Sequence, residues 1–144
     1  MSFSPHDAVL VVHAGGKQCA LDLRQVAEIR GTDAVRAAGP IPSSLGVVHR
    51  NGVRVPVYDL RASAGAPMVL DAAAVVVMEL PDRIAAVMVD AVCDVRIAKS
   101  RQSAAEVAAD MRGTVAWVAA WDGGEAPVLD VTSWLQVCAE DQVE

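Results

Sequence analysis

The sequence predicts an all-β protein built as a small barrel or a pair of barrels, and three observations predict it. Short apolar runs recur along the chain with turn signals about every eight to twelve residues. Asn51-Gly52 stands between two β-branched runs, the strongest short-range hairpin signal, because a type I′ turn needs positive φ at both central residues. Apolar residues make up 53% of the 144 residues while aromatic ones make up 3%, so Val, Ala, Leu and Ile have to pack the core. That is ample core material for one domain or two small packed subdomains.

Taken in order, Ala8 to His13 (AVLVVH) reads as a first strand, broken by Gly15-Gly16, and Gln18 to Leu23 alternates polar and apolar as a second. Asp22 and Gln25 have capping-box spacing, which predicts one helical turn over Leu23 to Ala27, with Glu28-Ile29-Arg30-Gly31 leading out of it. Ala37 to Ser44 holds two prolines and reads as a loop. The Asn51-Gly52 turn then sets a register in which Arg50 faces Val53, His49 faces Arg54 and Val48 faces Val55. Val48, Val53, Val55 and Val57 fall on one apolar face, with His49 and Arg54 on the other. Pro56 cannot donate a ladder hydrogen bond, so its strand is expected at an edge or with a bulge.

Ala62 to Pro67 is a second small-residue loop. Ala72 to Leu80 and Arg83 to Val92 read as strands joined at Pro81-Asp82, the second continuing after a kink into Cys93 to Ala98. Their Ala, Val, Ile and Met content is that of strands covered on both faces. Ser103-Ala104-Ala105-Glu106 starts a short helix that stops at Arg112-Gly113. Thr114 to Trp121 and Ala126 to Val131 are the last strands, separated by Asp122-Gly123-Gly124. Thr132 to Ala139 closes as an amphipathic helix with Trp134 and Leu135 inward.

The formal charge of −6 disfavours nucleic acid, whose backbone rewards a basic face, and adsorption to anionic lipid. Met68 to Leu80 and Ile84 to Ala98 are interrupted by charges and shorter than the roughly 20 apolar residues of a spanning helix, so no membrane insertion is expected. Cys19, Cys93 and Cys138 are widely spaced and form no CxxC, which reads as reduced thiols in a cytoplasmic protein. No signal peptide is visible in Met1 to Asp7.

No chemistry announces itself. His6, His13 and His49 have no metal-ligand spacing, and the sequence holds no GxSxG, Walker A or GxGxxG motif. Cys93 sits in an apolar run between Asp90 and Asp94, surroundings that keep a thiol inert. Asp90 and Asp94 fall on one face of a continuous strand, but no pocket or tuning partner accompanies them; they read as strand breakers or as acceptors for loop amides. Arg24, Arg30, Arg50, Arg54 and Arg61 cluster in the first half of the chain. They form either a solvated face or a recognition patch for an acidic or helical partner. Neither catalysis nor a cofactor is expected.

With those residues assembled, the chain resembles the CheW-like domain family, which comprises the coupling proteins of bacterial chemotaxis and the matching regulatory domain of the histidine kinase CheA. Val26-Ala27-Glu28-Ile29-Arg30-Gly31 resembles the family's V-x-E-I segment. Gly46 to Arg61 resembles its G-V-x-x-x-x-G-x-x-V-P-V-x-D-L-R signature. Val87 to Val95 resembles the V-D-x-V-x-D-V strand, and Val128-Leu129-Asp130-Val131 the closing I-L-D-V strand. The matches run in order across residues 8–138, one domain of two barrel subdomains, with 1–7 and 139–144 as flexible ends.

The resemblance implies two intertwined five-stranded SH3-like β-barrels sharing an apolar core, with short helices including one at the C-terminus. It implies a stand-alone, non-enzymatic, cytoplasmic adaptor, recruited to membrane receptor arrays and monomeric when free. Its partners would be the cytoplasmic helical hairpin of a methyl-accepting chemoreceptor and the regulatory domain of a CheA-type kinase. Residue by residue, Val26, Glu28, Arg50 and Asn51 match the receptor-binding segment and tip, and Gly46 and Val47 match the kinase-binding region. One departure stands out: where coupling proteins usually read Asn-Leu-Arg-Gly, this chain reads His49-Arg50-Asn51-Gly52, so Asn51 holds the place of the family's arginine. That departure motivates a rival role, a divergent regulator binding only one partner. A small barrel enzyme or ligand-binding module is the remaining alternative and would need a concave site with converging polar groups.

Overall fold

Residues 7–36, 46–60, 74–102 and 114–136 are described by the computed structural model. The predicted loops at Ala37 to Ser44 and Ala62 to Pro67, the predicted Ser103 helix, Arg61, His6 and Cys138 lie outside the described residues. The strands are β1 (Ala8–Ala14), β2 (Lys17–Asp22), β3 (Val26–Gly31), β4 (Gly46–Arg50), β5 (Val53–Asp59), β6 (Ala74–Glu79), β7 (Ile84–Val89), β8 (Ala91–Ile97), β9 (Ser100–Gln102), β10 (Val115–Trp121) and β11 (Gly124–Leu129). A helical turn, α1 (Val131–Trp134), follows.

They form two sheets, ordered β8-β1-β2-β11-β10-β9 and β3-β6-β7-β5-β4. In the first, the two edge strands β8 and β9 are joined by Ala98-Lys99 alone, so the sheet has to curl until its edges meet. In the second, the chain leaving β3 returns to β4: Arg36 and Val47 exchange backbone hydrogen bonds of 2.7 and 2.8 Å. The chain begins in the first barrel, builds the whole of the second, and returns, which intertwines them. The first barrel has six strands rather than five because Ser100–Gln102 pairs with β10.

Strand alternation explains the composition. Along β1, Val9 and Val11 point into the first barrel with Ala20, Ala119, Ala126 and Val128. Leu10, Val12 and Ala14 point the opposite way, into a core shared with Val76, Met78, Val87 and Val89 of the second barrel. On β6 and β7, Val75, Val77, Ala86 and Met88 fill the second barrel's own interior. These strands therefore bury both faces, and the narrow barrel interiors are filled mostly by Val and Ala. Tryptophan is used at the ends: Trp117 and Trp121 flank Ala119 on β10 and pack against the first barrel's core. Arg101 lies 3.9 Å from the Trp117 ring centroid, and Arg96 lies 6.0 Å from that of Trp121.

Several expectations change. Val26–Gly31 is a strand paired with β6, not the exit from a helix; a bulge at Ala27 breaks the two-residue period that would have announced it. The turn before it is correspondingly short, Leu23–Gln25, with the Asp22 carboxylate accepting from the Arg24 amide at 3.0 Å. β5 is not an edge strand: β4 flanks it on one side and β7 on the other. Pro56 is tolerated because Val47, opposite it, turns its backbone groups to Arg36, so the proline nitrogen points away from β4. The parallel pairing with β7 starts only at Val57.

The run Arg83 to Ala98 is cut at Asp90, where the chain leaves the second barrel for the first. The Asp90 amide donates to the His13 carbonyl at 2.8 Å, and its carboxylate accepts from the Gly15 amide at 2.8 Å. β8 is then an edge strand exposed from Cys93 onward, not one covered on both faces. At the C-terminus, Asp130 caps α1 by accepting from the Ser133 amide (3.2 Å) and hydroxyl (2.9 Å), and Trp134 and Leu135 are buried as expected.

Candidate partner-binding surface

The β4–β5 hairpin forms in the register its turn dictates, with Arg50 opposite Val53, His49 opposite Arg54 and Val48 opposite Val55. Asn51 and Gly52 take φ of 52° and 79°, the two positive angles of a type I′ turn. Val48, Val55 and Val57 are buried, but Val53 is 53% exposed: it shares their side of the strand and lies beyond the end of the barrel.

The two ends of the hairpin differ in character. At its base, Gly46 has φ 152°, and a Cβ there would collide with the Arg36 carbonyl oxygen; Val47 beside it is buried. Both belong to the seam that closes the barrel. At its tip, Asn51 is exposed, and the Arg50 guanidinium pairs with Glu79 at the end of β6 (3.2 Å). Across the seam on β3, Glu28 is half-exposed, 4.0 Å from Arg30, and Arg30 donates to the His49 carbonyl at 2.9 Å. Val26, opposite Met78 and so next in register to Glu79, packs against the shared core.

Of the residues singled out from sequence, Glu28, Arg50 and Asn51 are thus drawn towards one end of the second barrel. Gly46 and Val47 are at the opposite end of the hairpin, without surface. In the sequence Arg30 belongs to the arginine cluster and stands two residues after Glu28. Its reach to His49, and that of Arg50 to Glu79, join residues distant in the chain and carry no local signal.

The arginine cluster does not act as one patch. Arg24 is held by Asp22 at 2.7 Å, Arg30 by the His49 carbonyl and Arg50 by Glu79. Nor do the acidic and thiol groups converge. Asp94 pairs with Arg96 (3.1 Å), and a bulge at Cys93 together with the bend at Asp90 removes the common face expected for the two aspartates. Cys93 is exposed rather than buried in an apolar strand, because β8 is an edge. Cys19 is the buried thiol: burial first, then the nearby Cys93, pushes its pKa from 9.0 to about 12. Among the described residues, no group of three His, Cys, Asp or Glu side chains could hold a metal ion. No helix among them is long and apolar enough to cross a membrane.

Two small barrels on a common core, with a tethered hairpin displayed at one end, define a scaffold-type interaction domain. The CheW-like domain model matches residues 8–138, and the chain belongs to that family. Its fold is similar to the crystal structure of the scaffolding protein TtCheW from Thermoanaerobacter tengcongensis, with a TM-score of 0.72 at 20% identity over 85% of this chain and 83% of that one. The chain has the family's role, that of a coupling adaptor in chemotaxis signalling.

Proposed function

We propose that the protein works without catalysis, in the cytoplasm, by bridging the cytoplasmic helical hairpin of a methyl-accepting receptor and the regulatory domain of a CheA-type kinase. In this reading it is recruited to membrane receptor arrays, is monomeric when free, and forms one domain over residues 8–138. Val26, Glu28, Arg50 and Asn51 serve the receptor side. Gly46 and Val47 serve the kinase side by holding the base of the hairpin in place, since neither offers surface. The observation that supports this most is the bond from Arg30 to the His49 carbonyl, which ties the β3 segment and the hairpin tip into one rigid feature. Rigid presentation of a few side chains limits the ordering cost of docking.

The second reading, a regulator binding the kinase or the receptor alone, is favoured by one observation. Asn51 replaces the family's arginine, and Arg50 beside it is engaged by Glu79. Calorimetric titration of the protein with the kinase regulatory domain, and separately with a receptor cytoplasmic fragment from the same organism, distinguishes them. Heat with both supports coupling. Heat with one alone supports the regulator. Heat with neither overturns both.

A further inference from the structure

We infer that β8 is a self-pairing edge, along which two copies of this chain join antiparallel at high local concentration, about a two-fold axis at Val95. The inference goes beyond the coupling reading and needs neither receptor nor kinase. Its first ground is an open edge. β8 pairs with β1 on one side and, among the described residues, with no strand on the other. Every residue from Cys93 to Ile97 is exposed. The edges of the first sheet meet at Ala98-Lys99, where the Lys99 amide donates to the Ala120 carbonyl at 2.7 Å. Away from that point β8 stands apart from the β10–β11 turn. A cavity of about 320 Å³ lies between them, lined by Cys93, Asp94 and Arg96 on one side and by Trp121 and Gly124 on the other.

The second ground is which backbone groups face outward. The Ala98 amide donates to the Asp7 carbonyl at 2.9 Å, and further along the ladder Arg96 stands opposite Val9 and Asp94 opposite Val11. Hydrogen-bonded positions recur every second residue, so the backbone groups of Asp94 and Arg96 face β1 and those of Val95 and Ile97 face away from it. The Val95 amide agrees, since it donates to the Asp94 carboxylate at 2.8 Å and not to β1. The third ground is that this edge complements itself. With Val95 opposite Val95 of a second copy, Asp94 falls opposite the copy's Arg96, and Arg96 opposite its Asp94. Within one chain Asp94 and Arg96 pair with each other at 3.1 Å, and both are exposed. Pairing of two copies exchanges that contact across the axis and passes the Val95 amide to the carbonyl of the copy's Val95. On the face away from these charges, Val95, 48% exposed, and Ile97, 37% exposed, gain apolar cover. Each chain supplies one β8, so the two-fold axis closes the assembly at a dimer. The contact is short, so the free chain stays monomeric when dilute.

The test is sedimentation equilibrium of the full chain from micromolar to millimolar concentration, with circular dichroism to confirm that each variant is folded. The wild type is expected to pass from monomer to dimer as concentration rises. Arg96→Asp and Asp94→Arg each set like charges opposite one another, and each should raise the dimer dissociation constant about tenfold or more. The double variant, Asp94→Arg with Arg96→Asp, restores both cross-strand pairs and should return to within about threefold of the wild type. Val95→Pro removes an amide that faces away from β1, so it should leave the β1–β8 ladder intact and abolish the dimer. A wild type that stays monomeric throughout overturns the inference, as does assembly that continues past the dimer. A dimer that Arg96→Asp and Val95→Pro leave unchanged forms elsewhere and overturns it too. None of these outcomes touches the coupling reading, which the titrations with kinase and receptor fragments test separately.

Discussion

Cys19 and Cys93 illustrate how one residue type takes opposite characters two strands apart. Cys19 points into the shared core, where the charged thiolate is poorly solvated, and its pKa rises from 9.0 to about 12. In the unfolded chain the thiol ionises near its ordinary value, so above about pH 9 the unfolded state releases a proton that the folded state keeps. Cys19 therefore contributes its full share of stability below that pH. It loses about 1.4 kcal/mol per pH unit above it, until the folded thiol itself ionises. Urea unfolding at pH 8 and pH 10 should show a steeper loss for the wild type than for Cys19→Ala. Equal losses would mean that the thiol is not held neutral. Gly46 is constrained just as locally: its φ and the approach of the Arg36 carbonyl leave no room for a side chain.

At the scale of elements, β10 shows how a barrel packed with valine and alanine closes its ends. Trp117 and Trp121 project at either side of Ala119, and arginines from neighbouring strands lie over their rings. Gly124 belongs to the same arrangement, since a Cβ there would press on the Trp121 indole at 3.1 Å. The Arg101–Trp117 contact is the closer of the two, so Arg101→Ala should cost about 0.5–1 kcal/mol and Arg96→Ala less. Denaturant unfolding of the two variants compares them, and a larger loss for Arg96→Ala would contradict the geometry. The hairpin depends on its neighbours in a different way. Its turn is encoded locally, but the placement of its tip rests on Arg30 and on Glu79, which come from β3 and β6.

At the scale of the molecule, the core shared by the two sheets makes independent unfolding of the barrels costly. Met78 lies in the second barrel, fully buried, and packs in the cluster that also holds Leu10, Leu21 and Trp134. Met78→Ala should destabilise the protein by about 2–5 kcal/mol. Trp117 and Trp121 pack against the first barrel's core, so their fluorescence reports on that barrel, while Trp134 lies in the shared core. If the protein is one cooperative unit, the fluorescence and far-ultraviolet circular dichroism transitions of Met78→Ala move down together. A fluorescence transition left at its wild-type midpoint would show that the barrels unfold separately.

The sequence by itself determined the all-β class, the hairpin with its register, and the burial of Trp134 and Leu135 in the last turn. Those features are encoded in near neighbours: Asn51-Gly52 adopts the angles of one turn type, and alternation along a strand sets its faces. A kink in the long apolar run was also legible, expected after Val92 and found at Asp90. The family was legible too, from short motifs in a conserved order along the chain rather than from any one residue. Only the tertiary structure decided that Val26–Gly31 is a strand, that β8 lies at an edge with Cys93 in the open, and that β5 is flanked on both sides. A bulge at Ala27 hides the first from any periodicity, and whether an apolar strand is covered depends on sheet order, which is a non-local property. The candidate site follows the same division. Its tip could be read from sequence, whereas the contacts that occupy Arg30 and Arg50 join residues roughly 20 to 30 positions apart.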